Sequence, residues 1–160
     1  MNRRLALALI GLLMTVAANA QFEQGKKYLG ASLSGFNLSY NGSEKSHVGL
    51  QAKAGYLFTD DWMVSANIDY DKQKNVSAKL SFGAGVRYYI VQNGLYLGAS
   101  ASYLHAGSAY DDFRPGVQIG YAFFLSKTVT FEPELYYDHS FKSHSDYSTI
   151  GLRVGVGVYL

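Results

Sequence analysis

The sequence predicts an all-β fold, an eight-stranded antiparallel up-and-down β-barrel. Apolar and polar residues alternate with a period of two over eight long segments, a pattern typical of strands and not of helices. Short turns join these segments, so neighbouring strands are expected to form antiparallel hairpins. The chain combines 17 glycines and 15% aromatic residues with only 16% charged residues and no cysteine. This composition excludes both a disordered chain and a disulfide-stabilised scaffold.

Residues 1–20 are predicted to be a cleaved secretory signal peptide. Two arginines stand near the start, an apolar run follows over residues 5–16, and Ala-Asn-Ala at 18–20 matches a cleavage site. The apolar run is too short to cross a bilayer as a helix. The predicted barrel domain, residues 21–160, therefore lacks two of the 14 basic residues and carries as many bases as its 12 acids. A neutral domain has no electrostatic basis for binding nucleic acid.

The first predicted strand, residues 27–39, is the least regular of the eight. Leu29 and Leu33 lie on one face, whereas Phe36 lies on the other. A β-bulge near Gly35 would restore the alternation, and an aromatic side chain packed inside the barrel is the alternative.

The other seven segments alternate regularly, and turn residues separate them. In chain order the segments, with apolar residues that share a face, are 47–58 (Val48, Leu50, Ala52, Ala54), 62–72 (Val64, Ala66, Ile68), 76–90 (Leu80, Phe82, Ala84, Val86), 95–105 (Leu97, Ala99, Ala101), 113–125 (Val117, Ile119, Tyr121), 129–139 (Phe131, Pro133, Leu135) and 147–160 (Ile150, Leu152, Val154, Val156). An open meander of this length would expose two edges, and closure into a barrel removes both.

Alternation alone leaves open which face points into the barrel. An inward apolar face predicts a soluble, lipocalin-like carrier, and an outward apolar face predicts a transmembrane barrel. Three features favour the transmembrane barrel. Glycines lie mainly on the polar face, where they make room inside a narrow barrel. Acidic and basic residues on that face are equal in number, as expected for groups that neutralise each other in a lumen. Aromatic residues cluster near both ends of the strands, like the girdles of membrane barrels.

The predicted sites follow from this choice of faces. The lumenal ion-pair network is predicted to contain Lys53, Asp69, Asp71, Lys79, Arg87, Arg114, Glu132, Glu134, Asp138 and Arg153. The aromatic girdles are predicted to contain Tyr56, Phe58, Trp62, Tyr70, Tyr88, Tyr103, Phe113, Phe123, Phe131 and Tyr137.

Three stretches resemble the small outer-membrane β-barrel family of OmpA- and OmpX-like proteins, in particular the short "porin family" barrels of Bacteroidetes-type bacteria. They are YLGASLSG at 28–35, FGAGVRYY at 82–89 and GLRVGVGVYL at 151–160, and the resemblance covers residues 21–160. It implies a location in the outer membrane, periplasmic termini and assembly by the barrel-insertion machinery. The last stretch is similar to the C-terminal assembly signal, although Leu160 stands where such signals often have Phe. The implied periplasmic turns are 59–61, 91–94 and 126–128, and the implied outer loops are 40–46, 72–75, 107–112 and 141–146.

No catalytic, cofactor-binding or metal-binding residues are predicted, and the protein is expected not to be an enzyme. Four histidines, His47, His105, His139 and His144, fall at the predicted outer rim near Ser140, Ser145 and several aspartates. Such a group could hold a metal or form the Ser-His-carboxylate set of a lipid A-modifying enzyme. Solvated polar caps are the favoured interpretation, because short loops and the missing Asn-rich motif argue against the enzyme.

The predicted function is a structural or envelope-interaction role for a monomeric barrel whose lumen is plugged by ion pairs. The expected partners are outer-membrane lipid and lipopolysaccharide, whose phosphates Lys45, Lys72, Lys74 and Lys142 could contact. The alternatives are a lipid A-modifying outer-membrane enzyme or a narrow solute channel, and third a soluble lipocalin-like carrier.

Overall fold

The computed structural model describes residues 22–36, 47–73, 79–90, 94–106, 110–141 and 148–160. The predicted signal peptide lies outside these ranges, as do most of the predicted outer-loop residues. No helix within the described ranges is long and apolar enough to cross a membrane.

The described strands form one closed antiparallel barrel. In chain order they are β1 (Lys27–Phe36), β2 (His47–Thr59), β3 (Trp62–Gln73), β4 (Lys79–Tyr89), β5 (Leu95–Ala106), β6 (Tyr110–Tyr121), β7 (Phe123–Phe124), β8 (Val129–Asp138) and β9 (Thr149–Tyr159). Neighbouring strands pair in sequence from β1 to β6 and from β7 to β9, β1 pairs with β9, and β6 pairs with β8. Since β7 continues β6 past Ala122, the nine segments make eight wall strands, which confirms the predicted fold class.

The strand bounds differ from the predicted ones at a few ends. β6 begins at Tyr110, so the predicted loop 107–112 was wrong for its last three residues. The sixth predicted segment, 113–125, is interrupted as a strand at Ala122, although the Ala122 N–H still bonds to the Gly94 carbonyl at 2.8 Å on the β5 side. The bulge predicted near Gly35 is confirmed, because the pairing of β1 with β9 shifts register between Ser34 and Phe36.

The apolar faces of the strands point outward, as predicted for a transmembrane barrel. Leu29 on β1, Ile68 on β3 and Val117 on β6 are all exposed, Val117 to 59%. Because successive side chains of a strand alternate between faces, the polar residues between them fill the interior. Arg87, the largest fully buried side chain, is only 2% exposed.

The first described segment, which begins at Phe22, and the C-terminal Leu160 lie at one end of the barrel, here called the terminal end, and the opposite end is called the loop end. At the terminal end residues 22–26 run beneath the wall before β1 begins. The Gly25 N–H donates to the Leu57 carbonyl at 2.8 Å, and the Phe22 carbonyl accepts from the Asp61 N–H at 2.9 Å. Gly25, in the turn within this segment, and Asp61, in the hairpin between β2 and β3, both have positive φ, 92° and 64°, a conformation suited to tight turns.

Candidate functional site in the barrel lumen

The terminal end of the lumen is closed by a cluster of aromatic and apolar side chains, here called the stopper. Phe22 stacks on Tyr89 with ring centroids 3.8 Å apart and meets Tyr159 edge to face. Phe22 and Tyr89 are both fully buried. The whole stopper consists of Phe22, Tyr28, Leu57, Met63, Tyr89, Tyr96, Ala122 and Tyr159, with Phe124 packed against it. The chain segment before β1 therefore fills the lumen as well as passing below it.

Above the stopper lies a cluster of buried ion pairs. Arg87 donates to Glu132 Oε2 at 2.9 Å and to Glu134 Oε2 at 3.1 Å. Arg153 donates to Glu134 Oε1 at 2.6 Å, and Lys53 Nζ lies 3.9 Å from Glu134 Oε2. Buried charges require opposite charges and hydrogen bonds at close range, and here three cations from β2, β4 and β9 share two glutamates of β8.

Tyrosines complete the hydrogen bonds of these two glutamates. Tyr28 donates to Glu132 Oε2 at 2.9 Å, and Tyr96 donates to Glu134 Oε2 at 3.1 Å. The Tyr96 ring also lies 3.8 Å from the Arg87 guanidinium carbon, a cation–π contact in a site shielded from water. The guanidinium is thus held from the side by carboxylates and on its face by an aromatic ring.

Glycines in the wall receive several of these inward tyrosines. A Cβ added at Gly120 would collide with Tyr96, and one added at Gly151 would lie 2.8 Å from the Tyr136 hydroxyl. Tyr96 and Gly120 are register partners, as are Tyr136 and Gly151. The glycines on the lumenal face thus make room for side chains of the adjacent strand.

The space left beside the ion pairs is small. The cavity beside the ion pairs has a volume of about 20 Å³, enough for one or two waters. It is lined by Arg87, Arg153, Glu134, Lys53 and Tyr96. The Nε atoms of Arg87 and Arg153 have no protein partner. The lumen at this level therefore has room for water but not for a solute of metabolite size.

The predicted network residues divide into three groups. Lys53, Arg87, Glu132, Glu134 and Arg153 form the ion pairs just described. Nearer the loop end, Asp69 accepts from Gln51 at 2.6 Å and from Asn67 at 2.5 Å. Arg114 donates to the Ser81 hydroxyl at 3.3 Å. The remaining three predicted members are Asp71, Lys79 and Asp138. The side chains of Asp71 and Lys79 lie outside the described residues. Asp138 directs its Oδ1 over Gly116.

The structure places most of the predicted girdle aromatics on the outer surface of the barrel. Tyr56, Phe58, Trp62, Tyr70, Tyr103, Phe113, Phe131 and Tyr137 are all exposed, between 37% and 53%. Tyr88 and Phe123 are half-buried, Tyr88 against Trp62 with ring centroids 4.9 Å apart. The sequence analysis assigned no role to four buried aromatics, Phe22, Tyr28, Tyr96 and Tyr159. Tyr28 and Tyr96 could have been predicted to lie inside, because each precedes or follows a residue of the outward apolar face by one position.

The rim histidines are only partly described. His139 Nδ1 lies 3.2 Å from the Tyr137 hydroxyl, and its ring packs edge to face on Phe141. The Ser140 hydroxyl donates to Asp112 at 2.5 Å. The side chains of His47 and His105 and the whole of His144 lie outside the description. Within the described ranges, no three His, Asp or Glu residues are grouped so that they could hold a metal ion.

The comparisons with known proteins agree with this architecture. The sequence matches the family described as "Outer membrane protein beta-barrel domain" over residues 5–160. The chain belongs to this family. The protein is therefore an integral outer-membrane β-barrel protein, which excludes the soluble carrier. The match begins within the predicted signal peptide, whose cleavage stays a prediction.

Solved outer-membrane barrels of low sequence identity share the fold. The chain is similar to Neisserial surface protein A (17% identity, TM-score 0.57, covering 83% of this chain and 95% of that one). It is similar to the outer membrane protein Ail of Yersinia pestis (13%, 0.60, 86% and 100%). It is also similar to the N-terminal barrel domain of Pseudomonas aeruginosa OprF (15%, 0.57, 86% and 98%). Among proteins with curated descriptions, none matches the sequence significantly.

Proposed function

We propose that this protein is a non-catalytic outer-membrane barrel with a closed lumen and a structural and envelope-interaction role. The observation that carries the proposal is the filled lumen: the stopper, built around Phe22, closes the terminal end, and the Arg87–Glu132–Glu134 cluster occupies the next level. An eight-stranded barrel has an interior just wide enough for its own side chains. Solute passage along the axis would require several ion pairs and the stopper to move together.

The closed lumen is tested by conductance. The full-length protein is purified from outer membranes and inserted into planar lipid bilayers, with an open porin as the positive control. We expect no stable unit conductance from the wild-type chain. Steps of uniform size, seen at the same voltage in independent preparations, would identify a narrow channel and overturn the proposal.

The absence of catalysis is tested on the lipid that an outer-membrane enzyme of this size would modify. Lipid A is extracted from cells with and without overexpressed protein and compared by mass spectrometry. We expect identical acyl composition. A mass difference of one acyl chain that disappears in a Ser140→Ala variant would support the enzyme instead. In the structure the Ser140 hydroxyl donates to Asp112.

We further propose that lipopolysaccharide and outer-membrane lipid are the partners of this monomeric barrel and that the barrel-insertion machinery assembles it. Four lysines of the predicted outer loops, at 45, 72, 74 and 142, would supply positive charge for lipid phosphates. Replacing these four with glutamine should lower the lipopolysaccharide that co-purifies with the barrel. The matched control replaces Lys27 and Lys127, which are exposed at the terminal end. Equal lipopolysaccharide in both variants would remove this partner.

A further inference from the structure

The ladder between β6 and β8 is the shortest between long strands of the barrel. It pairs Gly116–Gly120 with Glu134–Asp138, stops at Tyr121 and Ala122, and resumes where β7 meets Phe131 and Thr130. The β1–β9 ladder, by comparison, runs from Tyr28 to Phe36. The β6–β8 ladder is thus interrupted at the level of Tyr121 and Ala122.

Both prolines of the chain face this seam. The chain has two prolines, Pro115 in β6 and Pro133 in β8. The Pro115 carbonyl accepts from the His139 N–H across the seam at 2.8 Å. The Pro133 carbonyl also points across it, because a Cβ added at Gly120 would lie 2.8 Å from that oxygen.

A strand residue directs its N–H and its C=O to the same neighbour in an antiparallel ladder. Pro115 and Pro133 therefore each remove one N–H donor from the β6–β8 seam, and neither removes a donor from β5 or β9. Pro133 stands opposite Tyr121, where the ladder is interrupted. Prolines are normally confined to strand edges that need no partner, so both strands have edge character here.

A side-chain bridge spans the same level from inside. Tyr96 of β5 pairs with Gly120 of β6, which pairs with Glu134 of β8. The Tyr96 ring lies across Gly120, and its hydroxyl donates to Glu134 at 3.1 Å. The hydrogen bond thus joins β5 to β8 over β6. It holds β8 against β6, to which the backbone joins it weakly.

We propose that the barrel wall opens reversibly between β6 and β8, at Tyr121 and Pro133, and that the Tyr96–Glu134 hydrogen bond keeps this seam closed. Backbone groups inside a membrane require protein partners, so a ladder that lacks two donors is the seam least costly to separate. The opening connects the lumen sideways to the membrane at the level of Tyr96 and Ala122, two members of the stopper. It adds a conformational change to the function proposed above and does not depend on conductance along the axis.

Residue-resolved amide hydrogen exchange of the full chain in lipid nanodiscs tests this proposal. The reporting amides point into the seam: Val117, Ile119, Leu135 and Tyr137. We expect them to exchange faster than the amides of the β1–β9 ladder, because exchange follows local opening. Equal protection of the two ladders would overturn the proposal without any variant.

Three single variants identify the cause of the exchange. Pro133→Val restores one donor and should slow exchange at the seam roughly fivefold, the factor that one backbone hydrogen bond contributes. Tyr96→Phe removes the bridge and should speed it by a similar factor. The matched control is Tyr28→Phe, which loses a hydrogen bond to Glu132 between β1 and β8, and should leave the seam unchanged.

The variants also provide the refutation. No slowing in Pro133→Val would show that the missing donors do not limit the seam. An equal acceleration of seam exchange in Tyr96→Phe and Tyr28→Phe would mean a general loss of stability, and the bridge would have no specific role.

Discussion

Glu134→Gln removes the anion that the most cations share. Its two oxygens accept from Arg153 at 2.6 Å and from Arg87 and Tyr96 at 3.1 Å, and Lys53 lies at 3.9 Å. Hydrogen bonds to charged groups contribute about 1.5–3 kcal/mol each, and the amide retains part of them. Breaking a buried pair by removing one partner costs about 3–5 kcal/mol. We expect Glu134→Gln to lower the free energy of unfolding by about that amount.

Removing one of the cations around Glu134 tests whether unbalanced charge causes this loss. With Glu134 neutral, Lys53, Arg87 and Arg153 face Glu132 as the one remaining anion of this cluster. Adding Lys53→Met removes one of the unbalanced cations, so the double variant should recover roughly 1–2 kcal/mol of the loss, within the range of coupling between contacting residues. Lys53→Met alone should be destabilising, because it leaves Glu134 with one cation fewer.

The assay is unfolding by urea in lipid vesicles, followed by the fluorescence of Trp62. The chain has one tryptophan, which lies on the outer surface and therefore reports transfer from lipid to water. Glu23→Gln, an exposed glutamate at the terminal end, is the matched control and should leave stability unchanged. A free energy of unfolding for Glu134→Gln within about 1 kcal/mol of wild type, or a further loss of stability on adding Lys53→Met, would show that unbalanced buried charge does not cause the effect.

Three further predictions concern other levels of the barrel. Gly120→Ala places a methyl group into the Tyr96 ring and should cost about 1–3 kcal/mol, as overpacking does; unchanged urea unfolding would contradict this. Phe22→Ala empties the centre of the stopper and should cost about 3 kcal/mol, with Glu23→Ala as the exposed control. Burial and the neighbouring Asp60 raise the pKa of Asp61, so the folded state favours the protonated acid. Stability gained from that group is present at low pH and falls as pH rises through the raised pKa, and Asp61→Asn should flatten the pH dependence of urea unfolding.

The face orientation was predictable because two independent signals coincide on alternate residues. Leu, Val and Ala recur on one face, and glycines with balanced charges recur on the other. A one-residue error in register would exchange all of these side chains between lumen and membrane. The pattern therefore predicts the exposure of Ile68 and Val117 and the burial of Arg87 without knowledge of the closed barrel.

The choice of ionic partners was not predictable from the same pattern. Arg87 lies on β4, yet its carboxylates, Glu132 and Glu134, lie on β8 across the lumen. That contact depends on the tilt and stagger of the strands in the closed barrel, which alternation does not specify. The role of Phe22 was hidden for a similar reason: it precedes β1 and belongs to no alternating segment.

Two features of β8 are physically linked. β8 carries Glu132 and Glu134, which bind Arg87 on β4, Lys53 on β2 and Arg153 on β9, so side chains attach this strand to much of the barrel. The same strand forms the interrupted backbone ladder with β6. Ionic contacts across the lumen depend on the charges of the side chains, whereas the hydrogen bonds of a backbone ladder do not. Closure at the β6–β8 seam therefore depends on lumenal side chains more than closure at β1–β9 does, and a single substitution at Glu134 should loosen the barrel at that seam first.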